Sequence, residues 1–177
     1  LYAFWAWVPT LLATRNAAAP TPLAPATLDL LAFAVIAVGG PACLWGGRVA
    51  DRRSRTHLVT VALLGSGACA ILTGLAGTAP LVVAVTIAAV WGWFVIADSA
   101  QFSALVTESV PEPLVGTALS LQTSIGFAST LVTILGVPML AAALGWPLAM
   151  AALAVGPAIG LVAIRRVAAA ASEPPRA

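Results

Sequence analysis

Lysine is absent from this 177-residue sequence, histidine occurs once, and only 8% of the residues are charged. A soluble domain is roughly a quarter charged. The scarcity therefore excludes an ordinary soluble domain, and with it soluble enzymes and nucleic-acid binders. The single histidine, His57, excludes a multi-histidine metal site within the chain. There is no phosphate-binding loop and no nucleophile–base arrangement, so no cofactor, metal or enzymatic activity is expected. The two cysteines, Cys43 and Cys69, both fall in apolar stretches at different expected depths. They read as small apolar residues, and a secreted disulfide scaffold is excluded.

What the chain has instead is apolar length. Hydrophobic residues make up 61% of it and the mean hydropathy is +1.04. Residues 30–47, 58–97 and 113–164 are uncharged runs of 18, 40 and 52 residues. A membrane-crossing helix needs roughly 20 predominantly apolar residues. The first run holds one span and the others two each, split at turn signals. With an N-terminal apolar stretch, this predicts an all-α polytopic membrane protein of six transmembrane helices over residues 1–170 and a cytoplasmic tail over 171–177, with the lipid bilayer as its first partner.

The first helix is expected from Leu1 to about Thr14, with Pro9 inside it and its natural start upstream of this chain. Arg15 to Ala26, with three prolines, reads as an extended outer loop. Thr27 is the expected N-cap of a second helix that carries Asp29 in its first turn and reaches about Gly47. A loop from Arg48 to His57 follows. The third helix is placed at Leu58–Ala76, the turn at Gly77–Pro80, and the fourth helix at Leu81–Thr107. That helix has 27 residues, about 40 Å at 1.5 Å per residue. After an acidic connection, Glu108–Val115, the fifth helix spans Gly116–Leu144, bent or ended by Pro138. Gly145–Pro147 turns the chain into the sixth helix.

Arginine counting sets the orientation. With the Arg48–His57 loop inside, seven arginines lie on the inner side and only Arg15 outside. Positive residues favour the cytoplasmic side. The basic loop and the C-terminus are therefore expected in the cytoplasm, the protein sitting in a cell (inner) membrane.

The inner loop reads Gly47-Arg48-Val49-Ala50-Asp51-Arg52-Arg53-Ser54-Arg55-Thr56. It resembles the signature loop of the major facilitator superfamily, Gly-x-x-x-Asp-Arg/Lys-x-Gly-Arg-Arg/Lys, through Gly47, Asp51, Arg52 and Arg55. Ser54 stands where that family has Gly, and Thr56 where it often has a second base. The loop joins the second and third helices of six, as in each half of that family. Gly92 and Glu108 also stand at the spacing of a fourth-helix motif in which Ala88 replaces an Arg. The departure suits a C-terminal half. The resemblance implies helices seven to twelve of a twelve-helix transporter, with an N-terminal six-helix half as partner, two inverted three-helix repeats within this half, and secondary transport of a small-molecule substrate by rocking of the halves. A membrane-embedded enzyme or a non-transporting scaffold are the alternatives. The first needs convergent polar residues and finds only Asp98 and Gln101; the second has no need of Asp98.

The residues predict two sites. One is a conformational latch at the inner face. Gly47 would admit a neighbouring helix, and Asp51 would face the start of the fifth helix near Gly116 and Thr117, where an anion is favoured. Arg52 or Arg55 would pair with Glu108, Glu112 lying on the same side, while Arg53 only sets topology. The other site is a substrate or proton pathway. Asp98 is the only carboxylate inside an apolar run, and a charge at bilayer depth costs at least ~2.5–3.5 kcal/mol. Gln101 and Trp91 are expected on its helix face, and the resemblance puts the first and fourth helices along the central cavity. Tyr2 and Trp5 either line that cavity or form an interfacial belt. Gln122, Thr123, Ser124 and Thr133 are expected as interhelical glue, Gly156 and Gly160 as a close-packing pair, and His57 as a surface residue.

Overall fold

The computed structural model describes residues 1–172. They form α1 (Tyr2–Ala17), α2 (Pro25–Ala37), α3 (Gly39–Arg52), α4 (Arg55–Leu75), α5 (Leu81–Ala97), α6 (Ser99–Ser109), α7 (Val115–Leu144), α8 (Trp146–Ala151) and α9 (Val155–Ser172), with no strand among the described residues. Short 3-10 turns, Glu112–Leu114 and Ala152–Ala154, lead into α7 and α9. The tail expected over 171–177 falls, beyond residue 172, outside the described residues.

Five segments are long and apolar enough to cross a membrane: Pro25–Arg52, Arg55–Leu75, Leu81–Ser109, Glu112–Leu144 and Trp146–Ala168. The sixth expected span is not among them. α1 has 16 residues, about 24 Å at 1.5 Å per residue, against a hydrocarbon core of ~30 Å. It nonetheless buries Phe4, Val8, Leu11 and Leu12 in the bundle. The connection after it is pinned rather than loose: Asn16 Nδ2 donates to the Leu23 carbonyl at 3.0 Å, and the Leu23 N–H donates to Asn16 Oδ1 at 2.8 Å.

Several boundaries differ from those expected. The second helix starts at Pro25 with Ala24, not Thr27, at the N-cap. Proline suits a first helical position because its missing N–H would have no partner there. α3 continues to Arg52, so the basic loop shrinks to Arg53 and Ser54. Ser54 caps α4, its Oγ accepting from the His57 N–H at 3.1 Å, which satisfies one of the free donors of that helix start. α7 runs through Pro138 to Leu144 without ending there. Gly77 (φ +45°) and Gly145 (φ +83°) hold the turns after α4 and α7, conformations in which a Cβ is strained.

α5 is the axis of the bundle. Ala88, Trp91, Gly92, Ile96 and Ala97 are buried on it, and it packs against α1, α2, α3 and α4. Two crossings bring a backbone carbonyl directly against a glycine. A Cβ on Gly46 would lie 2.6 Å from the Ala97 carbonyl oxygen, and one on Gly92 would lie 2.6 Å from the Val35 carbonyl oxygen. Gly47, expected to admit a neighbouring helix, has nothing within 4 Å of that position; its neighbour Gly46 makes the close approach. Likewise Gly160 packs against Leu63 while Gly156 faces open space. α7 buries only Val137 and exposes Leu121, Ile125, Leu131, Val132, Leu135 and Met139. Such a surface suits lipid or another apolar partner, not water.

Candidate functional site

Two segments break where they pass one another. α2 and α3 meet at Val38, and α5 and α6 meet at Asp98. Gly39 is packed against Ile96, and Gly46 against Ala97, the residue before Asp98. Asp98 keeps a helical backbone (φ −93°, ψ −13°) within the long segment Leu81–Ser109, at the point where its regular hydrogen bonding is interrupted. It occupies a turn whose carbonyl accepts from the Gln101 N–H at 2.9 Å.

Asp98 is 7% exposed and lines a cavity of about 560 Å³. The start of α1, α4, the α5–α6 turn, α7 and the start of α9 all contribute to its wall. That volume lies in the range of small-molecule sites, ~300–1,000 Å³. Tyr2 and Trp91 also line it, as expected. Tyr2 is 44% exposed, with its ring 5.5 Å from those of Phe127 and Trp5. Trp91 is 2% exposed; it stacks on Phe4 at 5.1 Å and donates its indole N–H to Ser66 Oγ at 3.0 Å. Its role is to hold the wall between α1, α4 and α5. Trp5 is not part of the lining; it is half-buried and packs against the apolar core.

Gln101 is the largest departure at this site. It is 6% exposed but does not line the cavity. Its Oε1 accepts from Arg55 Nη1 at 2.8 Å, and Arg55 Nε donates to Glu108 Oε1 at 2.8 Å. Arg55 at the start of α4 therefore joins both ends of α6. The expected pairing of Arg55 with Glu108 is present. The other half of the expected arrangement is not: Asp51 and Arg52 are exposed at the end of α3, and Asp51 makes no hydrogen bond or ion pair among the described residues. The continuation of α3 to Arg52 leaves Asp51 in a last helical turn, near the negative end of that helix dipole.

Polar residues that the sequence left aside complete the cavity. Ser66, Ser99, Ser129 and Thr130 line it with Gln122 and Thr133. The α7 hydroxyls do not bridge helices as expected. Ser129 donates to the Ile125 carbonyl, Thr130 to that of Gly126, and Thr133 to that of Thr130. Ser99 donates likewise to the Ile96 carbonyl. Their protons are spent on their own backbone, so the lone pairs are what these hydroxyls present outward. Thr123 and Ser124 are exposed, and Gln122 Oε1 is buried without a partner among the described residues. α7 has the cavity on one side and nothing packed on much of the other, so its hydroxyls have no partner helix to reach. Polar residues recurring on one helix face, at 122, 129, 130 and 133, were the available signal.

No family model matches this chain, and no curated protein matches it. The functional reading therefore rests on the cavity, the Arg55 cluster and the apolar helices alone.

Proposed function

We propose that this chain is a half of a secondary transporter of the major-facilitator type, carrying a small solute across a membrane by alternating access. The observation that carries the proposal is a buried carboxylate, Asp98, in the wall of a cavity of about 560 Å³. That cavity sits among helices long and apolar enough to cross a membrane. An intramembrane carboxylate is expensive, and one facing a cavity rather than lipid reads as part of a solute or proton path. A membrane-embedded enzyme would need a base hydrogen-bonded to one of the wall hydroxyls, whereas those of Ser99, Ser129, Thr130 and Thr133 donate to backbone carbonyls.

In this reading the basic end, with Arg48, Arg52, Arg53 and Arg55, faces the cytoplasm of a cell whose inner membrane holds the protein. A second six-helix half covers the cavity, and the solute lies between the two. The Arg55 cluster ties α4 to α6 in this conformation. A tie of this kind, one partner of which is largely in water, is worth only roughly 0.2–1 kcal/mol, which is enough to bias two nearly balanced states.

The test is uptake of radiolabelled cationic, neutral and anionic solutes by proteoliposomes. The expected result is saturable uptake of at least one solute by the full-length protein, and none by liposomes holding these 177 residues alone. Absence of uptake for all three classes by the full-length protein overturns transport. Saturable uptake by the 177 residues alone overturns the half-transporter reading.

A further inference from the structure

Resting on that reading, we propose that the solute of the Asp98 cavity is an organic ammonium: a protonated amine with N–H donors on an apolar or aromatic body.

The argument is one of complementarity. Asp98 is the only charged side chain in the cavity wall, and no arginine lines it among the described residues. A buried carboxylate needs a partner, since desolvation without one is costly. The rest of the polar wall is uncharged and offers several acceptors. The hydroxyls of Ser99, Ser129, Thr130 and Thr133 give their protons to backbone carbonyls and turn lone pairs outward. Gln122 adds a buried acceptor, Oε1, without a partner. A wall with one anion and several acceptors fits a ligand that is positive and carries donors. A carboxylate or phosphate would meet like charge at Asp98 and find no arginine in the wall among the described residues.

The apolar part of the wall decides the remainder of the ligand. Tyr2, Phe4 and Phe102 line the cavity. Aromatic faces attract cations, an effect of ~0.5–2 kcal/mol, and bury aryl or alkyl groups.

The experiment is equilibrium binding to the full-length protein in lipid nanodiscs. The three radiolabelled probes are 2-phenylethylammonium, its neutral counterpart 2-phenylethanol, and the anion 3-phenylpropionate. The expected result is saturable binding of the ammonium, with the alcohol and the carboxylate at least about ten-fold weaker, a difference of ~1.4 kcal/mol. Asp98→Asn should lose at least that factor for the ammonium, and Asp98→Glu should keep most of it. The comparison among probes on the unaltered protein stands even if Asp98→Asn does not fold. Equal binding of ammonium and alcohol, or preferred binding of the carboxylate, overturns the ammonium assignment. Such an outcome leaves transport standing if Ser129→Trp, which fills the cavity, abolishes uptake of the preferred probe. Ammonium binding that requires Asp98, without uptake in proteoliposomes, supports the site and overturns transport. No saturable binding of any probe overturns the assignment.

Discussion

Arg55 and Glu108 lie 53 positions apart in sequence, and their side chains meet at 2.8 Å. The two partners are not equivalent. Glu108 is on the water side of the pair, while the second acceptor of Arg55, Gln101 Oε1, belongs to a buried residue. Removing Arg55 strands a buried acceptor, at about 1–3 kcal/mol. Removing the Glu108 charge loses an exposed pair, worth roughly 0.2–1 kcal/mol. Arg55→Ala should therefore lower the thermal midpoint in nanodiscs clearly more than Glu108→Gln. High salt should shrink the Glu108→Gln effect. Equal effects of the two substitutions would show that Gln101 does not depend on Arg55.

Gly46 and Gly47 are sequence neighbours with opposite expected responses. A Cβ at position 46 meets the Ala97 carbonyl oxygen at 2.6 Å, whereas at position 47 it meets nothing within 4 Å. Gly46→Ala should destabilise the protein by ~1–3 kcal/mol through overpacking. Gly47→Ala, in the helical interior, should be neutral or stabilising by about 0.4–1 kcal/mol. Thermal unfolding of both variants, measured side by side, checks the contrast. A harmless Gly46→Ala would mean that α3 and α5 separate more easily than their contact implies.

The Ser66–Trp91 hydrogen bond is wholly buried. Ser66→Ala should cost about 1–3 kcal/mol by leaving the indole N–H unpaired. Trp91→Phe in the same background should add less than it does alone, because the bond is already gone. A double-mutant cycle on unfolding midpoints reads the coupling directly; strict additivity would deny the bond any energetic role.

Asp98→Asn keeps the shape of the side chain and removes its charge. In the full-length protein it should abolish transport, or the dependence of transport on pH, and leave expression and membrane insertion unchanged. Wild-type kinetics across the pH range in this variant would leave Asp98 as a packing residue of the α5–α6 turn.

The sequence was most legible where one property decides the outcome. Apolar length located the five long segments, and opposite charge on one membrane side was enough to bring Arg55 to Glu108. It was least legible where direction matters. Adjacent helical residues point roughly 100° apart, so nothing in the pair Gly46-Gly47 tells which one faces α5. Gln101 was assigned to the face of Asp98 by its spacing of three. Spacing does not say which neighbour a side chain reaches: Gln101 turns to Arg55 and not to the cavity. The hydroxyls of α7 were visible as a pattern but not as cavity lining, since partner helix and open cavity leave the same trace in sequence.

The brevity of the Arg53–Ser54 connection has a mechanical consequence. The three Cα–Cα steps from Arg52 to Arg55 reach at most ~11 Å, about two helical turns of 5.4 Å. The start of α4 is therefore tethered closely to the end of α3. Arg55, the first residue of α4, is also the residue that grips both ends of α6. The end of α3 is thus linked to the segment whose first turn is built on Asp98 through backbone and one guanidinium, by a route outside the cavity wall.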